Sequence, residues 1–162
     1  LMKDWPITVI PNSINTSSWI PIDKKHAKTI LNIPLDCKLI LFGAMGGGKD
    51  PRKGIDLLLS SFQDLKHICS NIQLAVFGQD QPDIVKNYGL PINYLGHVHD
   101  EISLRVLYSA ADVMVIPSRQ DNLPNTGLEA LSCGTPLVAF DTGGLSDLIV
   151  HKYNYQPQSE TE

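Results

Sequence analysis

The segment ILFGAMGGGKDPRKG, residues 40–54, brings a run of glycines and three cations to the end of an apolar stretch. Gly43, Gly48 and Lys49 fit the GxxxxGK spacing of a loop that cradles phosphates with backbone amides and a lysine. That pattern continues with Ser or Thr, whose hydroxyl holds Mg²⁺, but here the next residue is Asp50. A carboxylate beside a triphosphate repels it unless a metal lies between them. The hydrolase also needs an Asp closing a second strand, and the candidate, Asp112, stands before its apolar run. Nucleotide hydrolysis is therefore the least favoured chemistry. A flexible, solvated glycine loop accounts for Gly46 to Gly48. It does not account for Arg52 and Lys53, which lead straight into a helical pattern beginning at Ile55. Two cations at a strand-loop-helix turn sit where a phosphate would lie.

The second segment with chemical content is PSRQDNLPNTGLEALSCGTP, residues 117–136. It leaves an apolar strand, crosses a polar turn and enters a helix, with Asn125 as the expected cap after Pro124. The first amides of that helix favour an anion. Asp121 in the turn and Glu129 one helical turn in are spaced to accept hydrogen bonds from sugar hydroxyls while the amides take phosphate. Taken singly, Glu129 is an ordinary first-turn acid and Asp121 an ordinary turn residue.

These segments need a scaffold, and the periodicity predicts one. KLILFG (38–43), QLAVFG (73–78), INYLG (92–96), VMVIP (113–117) and PLVAF (136–140) read as strands, with ITVIP (7–11) as a short additional one. Residues 23–31, 55–66, 100–111, 125–133 and 145–151 read as helices, the second through Ile55, Leu58, Leu59, Phe62 and Leu65. Apolar strands alternating with helices predict an α/β, Rossmann-like, doubly wound parallel sheet of about six strands. Ligands of such sheets bind outside the carboxyl ends of the strands, so the loops 43–54, 78–82, 96–100, 117–125 and 141–144 carry the interest.

Composition narrows the classes. The formal net charge of −4 argues against a broad basic field for nucleic acid. The longest apolar runs are a handful of residues, too short for a membrane span. Cys37, Cys69 and Cys133 show no CxxC spacing and read as free thiols in a reducing, cytoplasmic setting. No metal site is expected.

The 117–136 segment resembles the carboxy-terminal, donor-binding domain of retaining GT-B glycosyltransferases, specifically glycosyltransferase family 4. The family pattern stands here as Ser118, Asp121, Glu129-Ala130 and Cys133-Gly134-Thr135-Pro136. ITVIPNSINTSSWIP, DPRKGIDLLL, YLGHVHDEISLRVLYSAADVMVIPS and GGLSDLIVH are similar to further family segments in the right order, from about residue 7 to about residue 154. The variant DNLPN is similar to a branch of bacterial surface-polysaccharide transferases.

The resemblance implies one half of a GT-B fold over residues 1–154, truncated at its far end, with a polar, disordered tail at 155–162 and the amino-terminal acceptor domain absent. It implies metal-independent, retaining transfer from a nucleotide-diphosphate sugar, UDP- or GDP-linked, to a saccharide or lipid-linked acceptor in polysaccharide biosynthesis, without a further cofactor. Lys53 matches the lysine that binds the donor diphosphate, Asp121 the first family Glu near the sugar, and Glu129 the second, which contacts the ribose. Asp121 and Glu129 are thus the catalytic candidates. Asn122, Leu123, Asn125 and Thr126 match the loop approaching sugar and phosphate; Gly96, His97 and Val98 match the region near the base; Gly43 closes the first strand. The family often has Arg after that glycine. Here Ala44 stands there, and Arg52 or Lys49 is the substitute cation. Alone, the fragment is expected to be inactive and prone to self-association through exposed apolar surface. Peripheral attachment to the inner face of the membrane is compatible with the family, though no amphipathic basic helix marks it. The alternatives are a nucleotide-binding module without catalysis, or a GT-B epimerase or hydrolase using His97, His99 or His151.

Overall fold

The structure is a computed structural model that describes residues 5–6, 8, 10–43, 50–65, 67–81 and 88–149. Five strands form one sheet: β1 (Lys38–Gly43), β2 (Ile72–Phe77), β3 (Ile92–Tyr94), β4 (Val113–Ile116) and β5 (Leu137–Ala139). Every pairing between these strands is parallel and the order is β3-β2-β1-β4-β5. Of the sixth strand expected at ITVIP, Ile7 and Val9 lie outside the described residues; the described Thr8, Ile10 and Pro11 are irregular, and Ile10 is exposed.

Side chains alternate between the two faces, as strand geometry requires. Leu39, Leu41, Ala75, Phe77, Met114 and Ile116 face a core closed by α1 (Lys24–Ile30), α3 (Glu101–Ala110) and α4 (Asn125–Ser132). Ile40, Phe42, Ile72, Leu74 and Val76 face α2 (Ile55–Leu65), which buries Leu58 and Phe62. The sheet is therefore covered on both faces, and its near-continuous apolar strands follow from that. Fully burying Phe62 is worth roughly 2–3 kcal/mol. Of the helix expected at 145–151, residues 150 and 151 lie outside the described residues, and the described part is a tighter 3₁₀ turn at Gly143–Asp147.

All parallel strands end on one edge, so the loops after them share it. β1 and β4 are neighbours in the sheet, yet the chain leaves β1 toward β2 and reaches β4 from β3 on the far side. The winding reverses between β1 and β4, and the crevice beyond their carboxyl ends is where such sheets hold ligands. Residues 44–49 and 155–162, including Ala44, Lys49 and the polar tail, lie outside the described residues, as does His151.

Candidate functional site

Asp50, the residue that spoils the hydrolase pattern, has a structural task. It is the N-cap of a 3₁₀ turn at Pro51–Lys53, accepting from the Arg52 amide at 3.0 Å. The same carboxylate takes the Arg52 guanidinium, Nε at 3.0 Å and Nη2 at 2.9 Å. These hydrogen bonds hold the Asp50 carboxyl below the usual carboxylate range. Arg52 is thus turned to Asp50 and is 67% exposed, rather than aimed at a ligand.

Gly54 ends the turn at φ 67, and a Cβ there would stand 1.9 Å from the Pro117 carbonyl oxygen. Only glycine allows that approach. The 117–121 loop is therefore laid directly on the turn, and two contacts fasten it. The Arg119 amide donates to the Arg52 carbonyl at 2.7 Å. The Arg119 guanidinium forks onto Asp56 at 2.8 and 2.6 Å and reaches the Pro51 carbonyl at 2.8 Å.

Docking these loops brings Lys53 to Asp121. Lys53 Nζ donates to Asp121 Oδ2 at 2.8 Å, and the Ser118 hydroxyl donates to the same oxygen at 3.1 Å. The other oxygen accepts from the Asn122 amide at 3.0 Å. From behind, the Gly144 amide donates to the Asp121 carbonyl at 3.2 Å. A Cβ on Gly144 would fall 1.7 Å from the Asn122 carbonyl oxygen, so the glycine pair beneath the loop fixes its height.

Lys53 and Asp121 line a cavity of about 310 Å³ at the β1/β4 crevice. Phe42, Ile116 and Leu123 give it an apolar side; Asn12, Ser118, Asn125 and Thr126 give it a polar one. Gly43 lines it too, and its missing side chain has a packing cause: a Cβ there would lie 2.0 Å from the Phe77 ring. Asn125 is the first residue of α4 rather than its cap. Pro124 holds the N-cap position and offers no side-chain bond, while Asn125 Oδ1 accepts from Asn12 Nδ2 at 3.2 Å. The unpaired amides of a helix's first turn lie where Asn125 and Thr126 meet the cavity.

Other candidates are placed elsewhere. Glu129 is one turn into α4 and does not line this cavity. Its Oε2 accepts from the Tyr108 hydroxyl at 2.7 Å, and burial raises its carboxyl above the usual range. Asn122 is exposed beside Asp121. Gly96, His97 and Val98 follow β3, two strands from β1 and so roughly 10 Å along the same edge. There Gly96 accepts from the Gly78 amide at 2.8 Å, Val98 packs on the core, and the exposed His97 stacks on His99 at 5.9 Å. Among the described residues no three His, Cys, Asp or Glu side chains group as a metal would require.

Several participants were not legible as site residues. Asn12 donates to the Leu123 carbonyl at 3.2 Å as well as to Asn125, spanning more than a hundred residues of sequence. Its only signal was its place in the ITVIPNSIN segment. Arg119 and Asp56 carry no local pattern at all.

A family model described as "Glycosyl transferases group 1" matches residues 37–160. The D-inositol 3-phosphate glycosyltransferase of Xylanimonas cellulosilytica is 30% identical over 91% of this chain and 38% of its own length. Among solved structures, sucrose-phosphate synthase from Thermosynechococcus elongatus superposes with a TM-score of 0.72 at 29% identity, over 85% of this chain and 36% of its own. Anabaena HepE, solved with UDP and glucose, superposes with a TM-score of 0.67 at 18% identity, over 89% of this chain and 40% of its own. The chain thus spans about two fifths of the length of the curated relative, and its sheet is one half of a GT-B fold. By its matched residues and its architecture, the chain belongs to the group 1 glycosyl transferases.

Proposed function

We propose that this chain is the nucleotide-sugar donor-binding half of a retaining glycosyltransferase of family 4. The observation that carries this is the Lys53 ammonium in the β1/β4 crevice, 2.8 Å from Asp121 and beside the first turn of α4. In this reading Lys53 and the α4 amides take the diphosphate, and Asp121 with Ser118 receives sugar hydroxyls. The base lies toward Gly96, His97 and Val98, and Glu129 reaches the ribose once Tyr108 releases it. The HepE complex with UDP and glucose supports a nucleotide sugar as the ligand class.

Charge builds on the departing diphosphate as the sugar transfers. Preorganised cations and helix amides stabilise it without a metal. A hydrogen bond to a charged group is worth about 1.5–3 kcal/mol. A Lys53 contact that strengthens in the transition state therefore changes the rate about tenfold to a hundredfold. The acceptor, a saccharide or lipid-linked glycan of polysaccharide synthesis, is taken by another domain, and the enzyme works on the cytoplasmic side. The test is transfer from radiolabelled UDP- and GDP-sugars by the longer protein. Lys53→Ala is expected to lower kcat/KM about tenfold to a hundredfold; undiminished transfer refutes the assignment.

A further inference from the structure

Among the described residues, three cations of this edge are already matched by carboxylates. Arg52 is paired with Asp50, Arg119 with Asp56 and Lys53 with Asp121. The third pair differs from the others, because both partners line the cavity and both are largely shielded, at 27% and 12% exposure. Asp121 is also fixed: Ser118 and the Asn122 amide hold its two oxygens, and the Gly144 amide holds its carbonyl. A ligand phosphate approaching Lys53 therefore meets a carboxylate that cannot swing far away.

We propose that Asp121 is a specificity determinant that favours the sugar-bearing nucleotide over the sugar-free nucleoside diphosphate. This rests on the donor-binding assignment and deepens it. The terminal phosphate of a nucleoside diphosphate is a monoester that loses its second proton near pH 6, like other phosphate monoesters. In a nucleotide sugar the same phosphate is esterified and lacks that charge, while the sugar supplies hydroxyl donors. One ligand therefore sets an extra negative charge against Asp121, and the other sets hydrogen-bond donors there. Like charges at a shielded site repel strongly. The consequence is easy departure of the spent nucleotide after transfer.

The experiment is calorimetric titration of the chain with UDP, GDP and ADP and with their glucose esters, for wild type, Asp121→Asn and Asp121→Glu. Asp121→Asn is expected to tighten the preferred nucleoside diphosphate about tenfold while leaving its glucose ester unchanged or weaker. Asp121→Glu, which keeps the charge, retains the wild-type preference. Equal shifts for both ligands in Asp121→Asn overturn the proposal while leaving donor binding intact. A wild-type chain that binds nucleoside diphosphates more than about tenfold tighter than their esters overturns it whether or not the variant folds. A wild-type chain that binds none of the six refutes the donor-binding assignment itself, and this inference with it.

Discussion

The Tyr108 hydroxyl donates to Glu129 Oε2 at 2.7 Å, from the last turn of α3 to α4, and joins a fully buried phenol to a half-buried carboxylate. Burial raises the Glu129 carboxyl, and with Glu129 alongside it raises the Tyr108 phenol too. A carboxylate held against desolvation in this way is a cost to the fold, and such costs gather at functional sites.

That cost is measurable. Burial raises the folded Glu129 carboxyl above its ordinary value of 4.5, so folding favours its neutral form more than the unfolded chain does. Its favourable contribution is complete below 4.5 and is lost as pH rises through the raised value. Glu129→Gln keeps the shape and still accepts from Tyr108. Its melting temperature is expected to exceed that of wild type at about pH 7, with the gap closing below about pH 4.5. A thermal melt series across pH checks this; a pH-independent difference contradicts it.

At the opposite edge, the buried Lys28 ammonium donates to the Cys37 carbonyl at 2.6 Å and to Asp112 at 3.0 Å. Asp112 also accepts from the Leu39 amide at 2.9 Å and pairs with the half-exposed Lys24 at 3.2 Å. Removing Asp112 leaves a buried charge uncompensated. Asp112→Ala is expected to cost about 3–5 kcal/mol in urea unfolding, and Lys24→Ala under about 1 kcal/mol. Similar losses in the two variants would contradict this arrangement.

Arg119 and Asp56 form an exposed fork whose signature is in titration rather than stability. Hydrogen bonding from Arg119 lowers the Asp56 carboxyl from 3.8 to about 2. The contribution of this pair is complete above 3.8 and is lost as pH falls toward about 2. In Arg119→Gln, carboxyl resonances followed by NMR are expected to show Asp56 returning toward 3.8. An unmoved midpoint would mean that the fork is absent in solution.

The α/β class and the site edge were legible because strands covered on both faces are apolar throughout, and the amphipathic period of α2 is complete from Ile55 to Leu65. At ITVIP the described Thr8, Ile10 and Pro11 are irregular, because strand character in a segment does not supply a partner strand. The cap at Asn125 failed because Pro124, one residue earlier, takes the N-cap position, leaving Asn125 for Asn12. The loop clamp by Arg119 and Asp56 joins residues 63 apart in sequence, and pairing at that range leaves no local pattern. Glu129 stood on the expected helix, but its rotamer toward Tyr108 is a matter of packing, which spacing does not encode.

Gly144 offers a test of how the loop is held. Its Cβ would fall 1.7 Å from the Asn122 carbonyl oxygen, a backbone atom that cannot yield without moving the Asp121 turn. Gly144→Ala is expected to cost about 1–3 kcal/mol and to weaken nucleotide binding with it. Full stability with full binding would show that the loop is free to lift.

The most direct test of donor binding is calorimetric titration of the chain with UDP and GDP, with and without Mg²⁺, in wild type and Lys53→Ala. The account predicts binding of one of them that is indifferent to Mg²⁺ and falls about tenfold or more without the Lys53 ammonium. Binding that requires Mg²⁺, or that survives Lys53→Ala unchanged, would contradict it.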